Sequence, residues 1–413
     1  MVGLLGLAFA IAVSASMSAR AQAAGGRPAA AATAAAGVLR IAVVVREDDE
    51  RHDERRAALA YPGHPGGTPE TAVAVAIEES SFELDAARVQ ARSDTVAVRS
   101  AADLRGALAR LEQAGTAAAV VDLPPTWLAG LWSGGSAFAS RLVLINVGTA
   151  DDSLRGAACH PSLWHALPSE RMRADALAQT LVARRWSRVL VLHGPTPEDA
   201  QRLDVASAAL KRHGLQVTAT RPFRLSADPR ERDQANPALL TAPANAGGEY
   251  DVVWVVDSAG EFARTLNYRT ALPRPIVGDG GLTAQAWAPN FERFGTPQLS
   301  RRFARAARRP MTAHDWAAWA ATKAVLQAAM ESPKPLGGDA IRRAMVRDGF
   351  VIDGFKGARL SFRPWDRQLR QPMLLTDGVG VIGSAPVDGV LHPRQALDTL
   401  GSDAPETACK TPG

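Results

Sequence analysis

Arg141-Leu-Val-Leu-Ile-Asn-Val-Gly-Thr-Ala-Asp-Asp-Ser153 decides how this chain is read. Arg141 to Val147 is a nearly continuous apolar run, the pattern of a strand covered on both faces in a parallel sheet. The polar turn Gly148 to Ser153 closes one series of such runs, and a second series starts behind it. Upstream, Val38 to Val45 and Ala117 to Asp122 are strands of the same kind. Between them Ser100 opens a helix with Asp103 three residues on, a variant of the capping box. Leu104, Leu108 and Leu111 form its apolar stripe and Gly115 ends it. Thr71 to Glu79 reads as a short helix and Phe82 to Ala91 as a strand.

Downstream the alternation repeats. Pro168-Ser169 opens a helix carrying Met172, Ala176, Leu177 and Leu181, and Arg188 to His193 is the strand after it. Further strands are expected over Leu215 to Thr220, Asp251 to Val256 and Pro275 to Gly278, with Ser258 to Leu266 helical and Pro229 to Glu249 loop-rich. Thr312 starts the longest helix, in which Trp316, Trp319, Leu326 and Met330 share one face and read as core. Two successive series of strands and helices imply two α/β lobes. The stretch Gly349 to Leu375 follows as two short extended runs around Arg363-Pro-Trp-Asp-Arg-Gln-Leu-Arg-Gln-Pro372, too charged for a core strand. It reads as a lock on the end of a domain or as a partner site.

A chain of 413 residues with 46% hydrophobic and 22% charged residues is ordinary for a soluble two-lobed protein. The formal net charge of +5 is mild, and the Arg301 to Arg309 cluster reads as a solvated helix face. At the N-terminus an apolar run, Leu4 to Val13, precedes Ala21-Gln22-Ala23, which fits a signal-peptidase site. No Lys or Arg precedes that run. Residues 1–23 are therefore expected to be an export signal, and Ala24 to Gly37 an Ala-rich disordered tether. The two cysteines, Cys159 and Cys409, form either one disulfide, as an oxidising compartment favours, or two free thiols.

Catalytic patterns are scarce. There is no His-Glu-x-x-His, Cys-x-x-Cys or Gly-x-Ser-x-Gly, and Gly278-Asp-Gly-Gly281 lacks the spacing of a dinucleotide loop. No metal or cofactor is expected. Thr149, Asp151, Asp152, Asp257 and Asp279 follow expected strand ends, where open α/β sheets bind ligands. The bland alternative for each is helix capping. Trp127 adds a candidate apolar contact.

This architecture resembles the type I periplasmic binding proteins, among them the branched-chain amino-acid receptors of ABC transporters. Cys159-His-Pro-Ser-Leu-Trp-His-Ala-Leu-Pro-Ser169, running on to Trp186, is similar to the stretch that starts their second lobe. His314-Asp-Trp-Ala-Ala-Trp319, Phe355-Lys-Gly357, Arg363 to Pro372 and Leu397-Asp-Thr-Leu-Gly401 with Cys409 resemble a narrower group. These are the substrate-binding-like proteins associated with pyrroloquinoline quinone (PQQ)-dependent alcohol dehydrogenases.

The resemblance implies two Rossmann-like lobes joined by three crossovers. The first lobe would take residues 38–149 and 276–332, and the second 150–275 and 333–413. A small molecule would sit between them, in an exported periplasmic protein serving an ABC permease linked to PQQ-dependent alcohol oxidation. The alternative is a periplasmic accessory or sensor that binds a dehydrogenase and has lost its small ligand. Two departures stand out. Ala76 to Phe82 runs on without the usual Asn/Thr/Gly-rich segment. Leu123-Pro-Pro-Thr-Trp127 lacks the small hydroxyl pair that holds an amino-acid carboxylate, which argues against a zwitterionic ligand.

Overall fold

The computed structural model describes residues 37–52, 64–132 and 141–410. The expected export signal, and the tether apart from Gly37, lie outside the described residues. No described helix is long and apolar enough to cross a membrane.

The first series comprises β1 (Gly37–Arg46), α1 (Glu70–Glu79), α2 (Ser81–Ala86), β2 (Val89–Val98), α3 (Ala101–Gln113), β3 (Ala118–Asp122), α4 (Pro125–Gly130), β4 (Val143–Asn146) and β5 (Leu163–His165). Its strands form one parallel sheet in the order β2-β1-β3-β4-β5. Alternate residues of each strand point to opposite faces, so this sheet has two cores. Leu39, Ile41, Val43, Val120 and Ile145 face one; Ala42, Val44, Val121 and Leu144 face the other, against Leu104 and Leu108 of α3 and Leu128 of α4.

The second series comprises α5 (Glu170–Ala183), β6 (Arg188–His193), α6 (Pro197–Arg212), β7 (Gln216–Pro222), α7 (Pro229–Gln234), α8 (Pro237–Leu240), β8 (Val252–Val256), α9 (Ala263–Leu266), β9 (Ile276–Gly278) and β10 (Thr283–Gln285). Strands β6 to β9 form a second parallel sheet in the order β7-β6-β8-β9. Val189, Val191 and Trp254 pack on α5 and α6, while Leu190, Val253 and Val255 pack with Phe223, Tyr250 and Phe262.

The chain then returns to the first core through α10 (Thr296–Ala307), α11 (Ala313–Met330), α12 (Gly338–Met345) and the small hairpin β11 (Ile352–Asp353) and β12 (Arg359–Leu360). Trp316 and Trp319 of α11 are fully buried there, as their shared face predicts. Thr312 and Asp315, three residues apart, cap the helix reciprocally. A last antiparallel sheet, β10-β13-β14, uses β13 (Met373–Thr376) and β14 (Val381–Ala385) and packs in the second core.

The cores therefore divide the chain at other places than the expected 149/150, 275/276 and 332/333. Trp164, Ala166 and Leu167 belong to the first core, as do residues from Ala286 to Leu369; Met172 to Ala284 and Met373 to Leu400 belong to the second. The three crossovers thus fall near 167–171, 285–286 and 370–372. The physical reason is that β5 adds to the first sheet and α12 packs beside α11, neither of which periodicity along the chain reveals.

Three local expectations need correction. Phe82 to Ala91 is not a strand: α2 occupies its first half, and β2 begins only at Val89. β2 is an edge strand exposed over most of its length, so it lacks the apolar run that marks its neighbours. Helix α9 begins at Ala263, because a turn at Asp257–Gly260 takes up the residues before it. The segment 229–240 contains two short helices, each capped by a side chain, Asp228 and Asn236.

Cys159 and Cys409 form a disulfide spanning 250 residues. The Arg363–Gln371 run leads into the third crossover, with Gln371 inside it, rather than lying within the second lobe. It folds back as a tight turn, with Phe362 bridging Leu369 and Gln368 bridging His165 at the edge of β5. Arg363, Asp366, Gln368 and Gln371 are buried, so the run is internal structure.

Candidate ligand cleft at the sheet edges

In a sheet ordered β2-β1-β3-β4-β5 the chain winds in opposite directions from β1 and β3, leaving a crevice at their carboxyl ends. A charged cluster fills that crevice. Asp122 ends β3 and is buried. The 3-10 turn Glu50–His52 follows β1 and brings Arg51 to it. Arg51 Nη2 lies 2.6 Å from Asp122 Oδ1, and Arg51 Nη1 donates to the Gly148 carbonyl at 3.0 Å. Asp49 pairs with the same guanidinium, and His52 Nε2 stands 3.4 Å from Asp122 Oδ2. Burial opposes ionisation of Asp122, but the His52 contact and Arg51 outweigh it and hold the carboxyl well below the usual range. Gly148 is required beside it, since a Cβ there would come within 2.0 Å of Asp122 Oδ1.

His314, in the first turn of α11, joins this cluster. Burial drives its pKa down to about 3, and although Asp122 counters that, Arg51 and Arg173 add to it. Arg173 belongs to α5 in the second lobe, so a charge of that lobe acts on an imidazole of the first. The Nδ1 atoms of His52 and His314 are buried without a hydrogen-bond partner.

The facing surface of the second lobe is built by α5, α6 and the end of β9. Arg202 reaches Asp279 (3.0 Å) and Glu170 (3.5 Å), and Arg173 reaches Glu170 (3.2 Å) and Gln285 Oε1 (3.2 Å). Burial raises the Asp279 carboxyl despite Arg202. Glu170 goes the other way, because Arg202 and Arg173 together overcome its burial. These groups line a cavity of about 80 Å³ with Trp254, Gly278 and Thr283. The equivalent crevice between β6 and β8 is closed by the protein itself. Thr196 and Asp199 form the capping box of α6, and Asp199 accepts from the Ser258 amide at 2.7 Å.

The residues anticipated from sequence separate into groups. Asp257 and Asp279 are brought together, the Asp257 amide donating to Asp279 Oδ2 at 2.8 Å. Asp279 lines the cavity, whereas the Asp257 carboxylate accepts from the Ala263 amide and holds the start of α9. Thr149, Asp151 and Asp152 lie in the loop after β4, beside the first crossover. The Thr149 hydroxyl accepts from the Asp151 amide, Asp151 caps the turn after it, and Asp152 accepts from the Arg171 amide at 3.0 Å. Burial pushes Asp152 up to about 6. Trp127 packs on the α3–α4 side of the first sheet, with the Arg46 guanidinium 5.9 Å from its ring centroid.

Sequence reading missed Arg51, Asp122, His314, Glu170, Arg173 and Arg202. Asp122 at a strand end carried the same signal as Asp257 and Asp279; the others lie on helices or turns, where only packing reveals direction. Among the described residues no group of three or more His, Cys, Asp or Glu side chains is placed to hold a metal. A larger groove of about 590 Å³ lies between α5, the end of α6 and the 387–406 segment.

No family model and no curated protein sequence matches this chain. Its fold does match solved structures. A branched-chain amino-acid ABC transporter ligand-binding protein from Burkholderia xenovorans aligns over 90% of this chain and 99% of its own, with a TM-score of 0.68 and 13% identity. A periplasmic binding protein from Burkholderia mallei aligns over 91% and 99%, with a TM-score of 0.63 and 13% identity. A solute-binding protein of an ABC transporter from R. palustris, in complex with benzoate, aligns over 91% and 100%, with a TM-score of 0.60 and 10% identity. Two α/β lobes, three crossovers and facing carboxyl edges together make this the type I periplasmic binding protein fold.

Proposed function

We propose that this protein is a periplasmic solute-binding protein of an ABC-type transport system that holds a small molecule between its lobes and carries out no covalent chemistry. The observation that carries the reading is the facing of two charged surfaces at the sheet edges. Asp122, Arg51, His52 and His314 stand on one lobe, and Glu170, Arg173, Arg202 and Asp279 on the other, close enough for Arg173 to act on His314. Two unpartnered buried imidazole nitrogens leave hydrogen bonds for a ligand to complete. The solute belongs to PQQ-dependent alcohol oxidation on this reading, supported by the motifs His314 to Trp319, Phe355 to Gly357 and Arg363 to Pro372. Asp279 is the anticipated residue best placed for ligand contact; Thr149, Asp151 and Asp152 would act through the crossover, and Asp257 and Trp127 from behind the cleft.

A second reading is an accessory or sensor that has lost its ligand and binds a dehydrogenase. It is favoured by the mutual pairing of the cleft charges, Arg51 with Asp49 and Asp122, and Arg202 with Asp279 and Glu170. Thermal unfolding of the purified protein with alcohols, aldehydes, carboxylates, amino acids and PQQ separates the two. A ligand at 100 times its Kd adds about 2.7 kcal/mol to stability. Carboxylates come early in the series because one relative of this fold is solved with benzoate. A flat response to every compound, together with co-purification of a dehydrogenase, would replace the transport reading with the accessory one.

A further inference from the structure

Lys356 follows β11 in the first lobe and is buried. Its ammonium donates to the Ala286 carbonyl, to Gln371 Oε1 and to the Pro372 carbonyl, each at 2.9 Å. It also sits 3.6 Å from the centroid of the Trp316 ring, which offers a cation its electron-rich face. No carboxylate accepts from it among the described residues, so the amino group is held entirely by neutral acceptors, and burial draws its pKa well below the usual lysine value. Three donors on a tetrahedral nitrogen are thereby matched to three acceptors.

The acceptors are not scattered. Ala286 lies in the second crossover, and Gln371 and Pro372 in the third. Gln371 is itself buried, and its Nε2 donates to the Ala166 carbonyl at 2.8 Å, beside the first crossover. Backbone bonds add to the same junction: the His165 amide donates to the Arg367 carbonyl and the Leu369 amide to the His165 carbonyl. Gly354 and Phe355, just before Lys356, are tied into the first core by Trp316 Nε1 and Thr296 Oγ1.

We propose that Lys356 and Gln371 form a clasp that fastens all three interlobe crossovers to the first lobe as one block. Lobe movement is then confined to the residues beyond that block on the second-lobe side, and the two lobes turn about a single defined axis instead of flexing at three independent strands. Hinges of this kind concentrate motion in a few element-terminal positions. The clasp holds in the free protein, so its test needs no solute.

The test uses Lys356→Met in the full-length protein, with nitroxide labels at Glu83→Cys and Lys211→Cys, exposed positions on the two lobes. The unclasped protein is expected to show a broader interlobe distance distribution than its Lys356 parent. Amide exchange at His165 and Leu369 is expected to be at least about tenfold faster, the ratio that loss of one charge-assisted hydrogen bond produces. Lys323→Met, which removes a lysine bonded to Ser80 within the first lobe, serves as the control and leaves both readouts unchanged. If Lys356→Met does not fold, Gln371→Leu releases the Ala166 tie and one of the three Lys356 acceptors while keeping the lysine, and should still speed exchange at His165. An unchanged distance distribution with unchanged exchange at the junction, in whichever of the two variants folds, overturns the proposal.

Discussion

Replacing Arg363 by Met tests whether the charged run 363–371 is a structural lock. The Arg363 side chain is 1% exposed. Its Nε lies 3.2 Å from Asp398 Oδ1, and its terminal nitrogens donate to the carbonyls of Leu397, Leu400 and Ser402. These acceptors lie on the 3-10 turn Ala396–Thr399 and just after it, so one guanidinium joins the edge of the first sheet to the C-terminal segment. Methionine fills most of the volume but donates nothing. Breaking a buried ion pair by removing one partner costs about 3–5 kcal/mol. The lower half of that range applies because Asp398 keeps Arg370 Nε at 2.7 Å. The carbonyls left without a donor bring the expected loss to about 4 kcal/mol. With unfolding entropy of about 2.1 cal/mol/K per residue, a chain of this size moves by about 1 °C per kcal/mol, so Tm should fall by about 5 °C. Urea and thermal unfolding followed by circular dichroism measure both, with exposed Arg301→Met as a control expected within about 0.5 kcal/mol of the parent. An Arg363→Met loss below about 1 kcal/mol would refute the lock and return the run to the status of a partner surface.

Opening the Cys159–Cys409 bridge, which spans 250 residues, should cost about 5 kcal/mol on the chain-entropy account; unfolding midpoints with and without reductant measure it, and equal midpoints would contradict it. Gly148→Ala should destabilise by about 1–3 kcal/mol through overpacking against Asp122, seen as a lower Tm. His314 is held unprotonated, its pKa lowered from 6.5 to about 3 by burial. Its contribution is therefore complete above pH 6.5 and is lost as pH falls toward 3, with a slope approaching about 1.4 kcal/mol per pH unit. His314→Gln should flatten the acid side of the stability profile by up to that slope, and an unchanged profile would show that the imidazole titrates freely. Asp152, raised to about 6, works in the opposite sense: its contribution is present below its ordinary pKa and lost as pH rises through 6.

The two α/β lobes were legible because buried parallel strands such as Val38 to Val45 and Arg188 to His193 are apolar on both faces, and their helices carry caps that local chemistry dictates. Ser169 and Thr312 open α5 and α11 as their residue types require. The disulfide was legible as the pairing that two cysteines favour in an oxidising compartment. Edge strand β2 was not, because one that faces water over most of its length has no apolar signature. Of the residues at the facing sheet edges, Asp279 was anticipated because strand ends are visible in a pattern, and it lines the cavity there. Sequence reading could not find the pairing of Arg51 with Asp122, 71 residues apart, or the influence of Arg173 on His314. The same holds for the charged run 363–371. Its residues look like solvent-exposed polar chain, and only the tertiary structure supplies the partners, Asp398, the 397–402 carbonyls, His165 and Ala166, that make burying them favourable. Local sequence determines which segments can be strand or helix, since that depends on neighbours along the chain. Where a buried charge finds its counter-charge depends on neighbours in space, and that was decided by the fold.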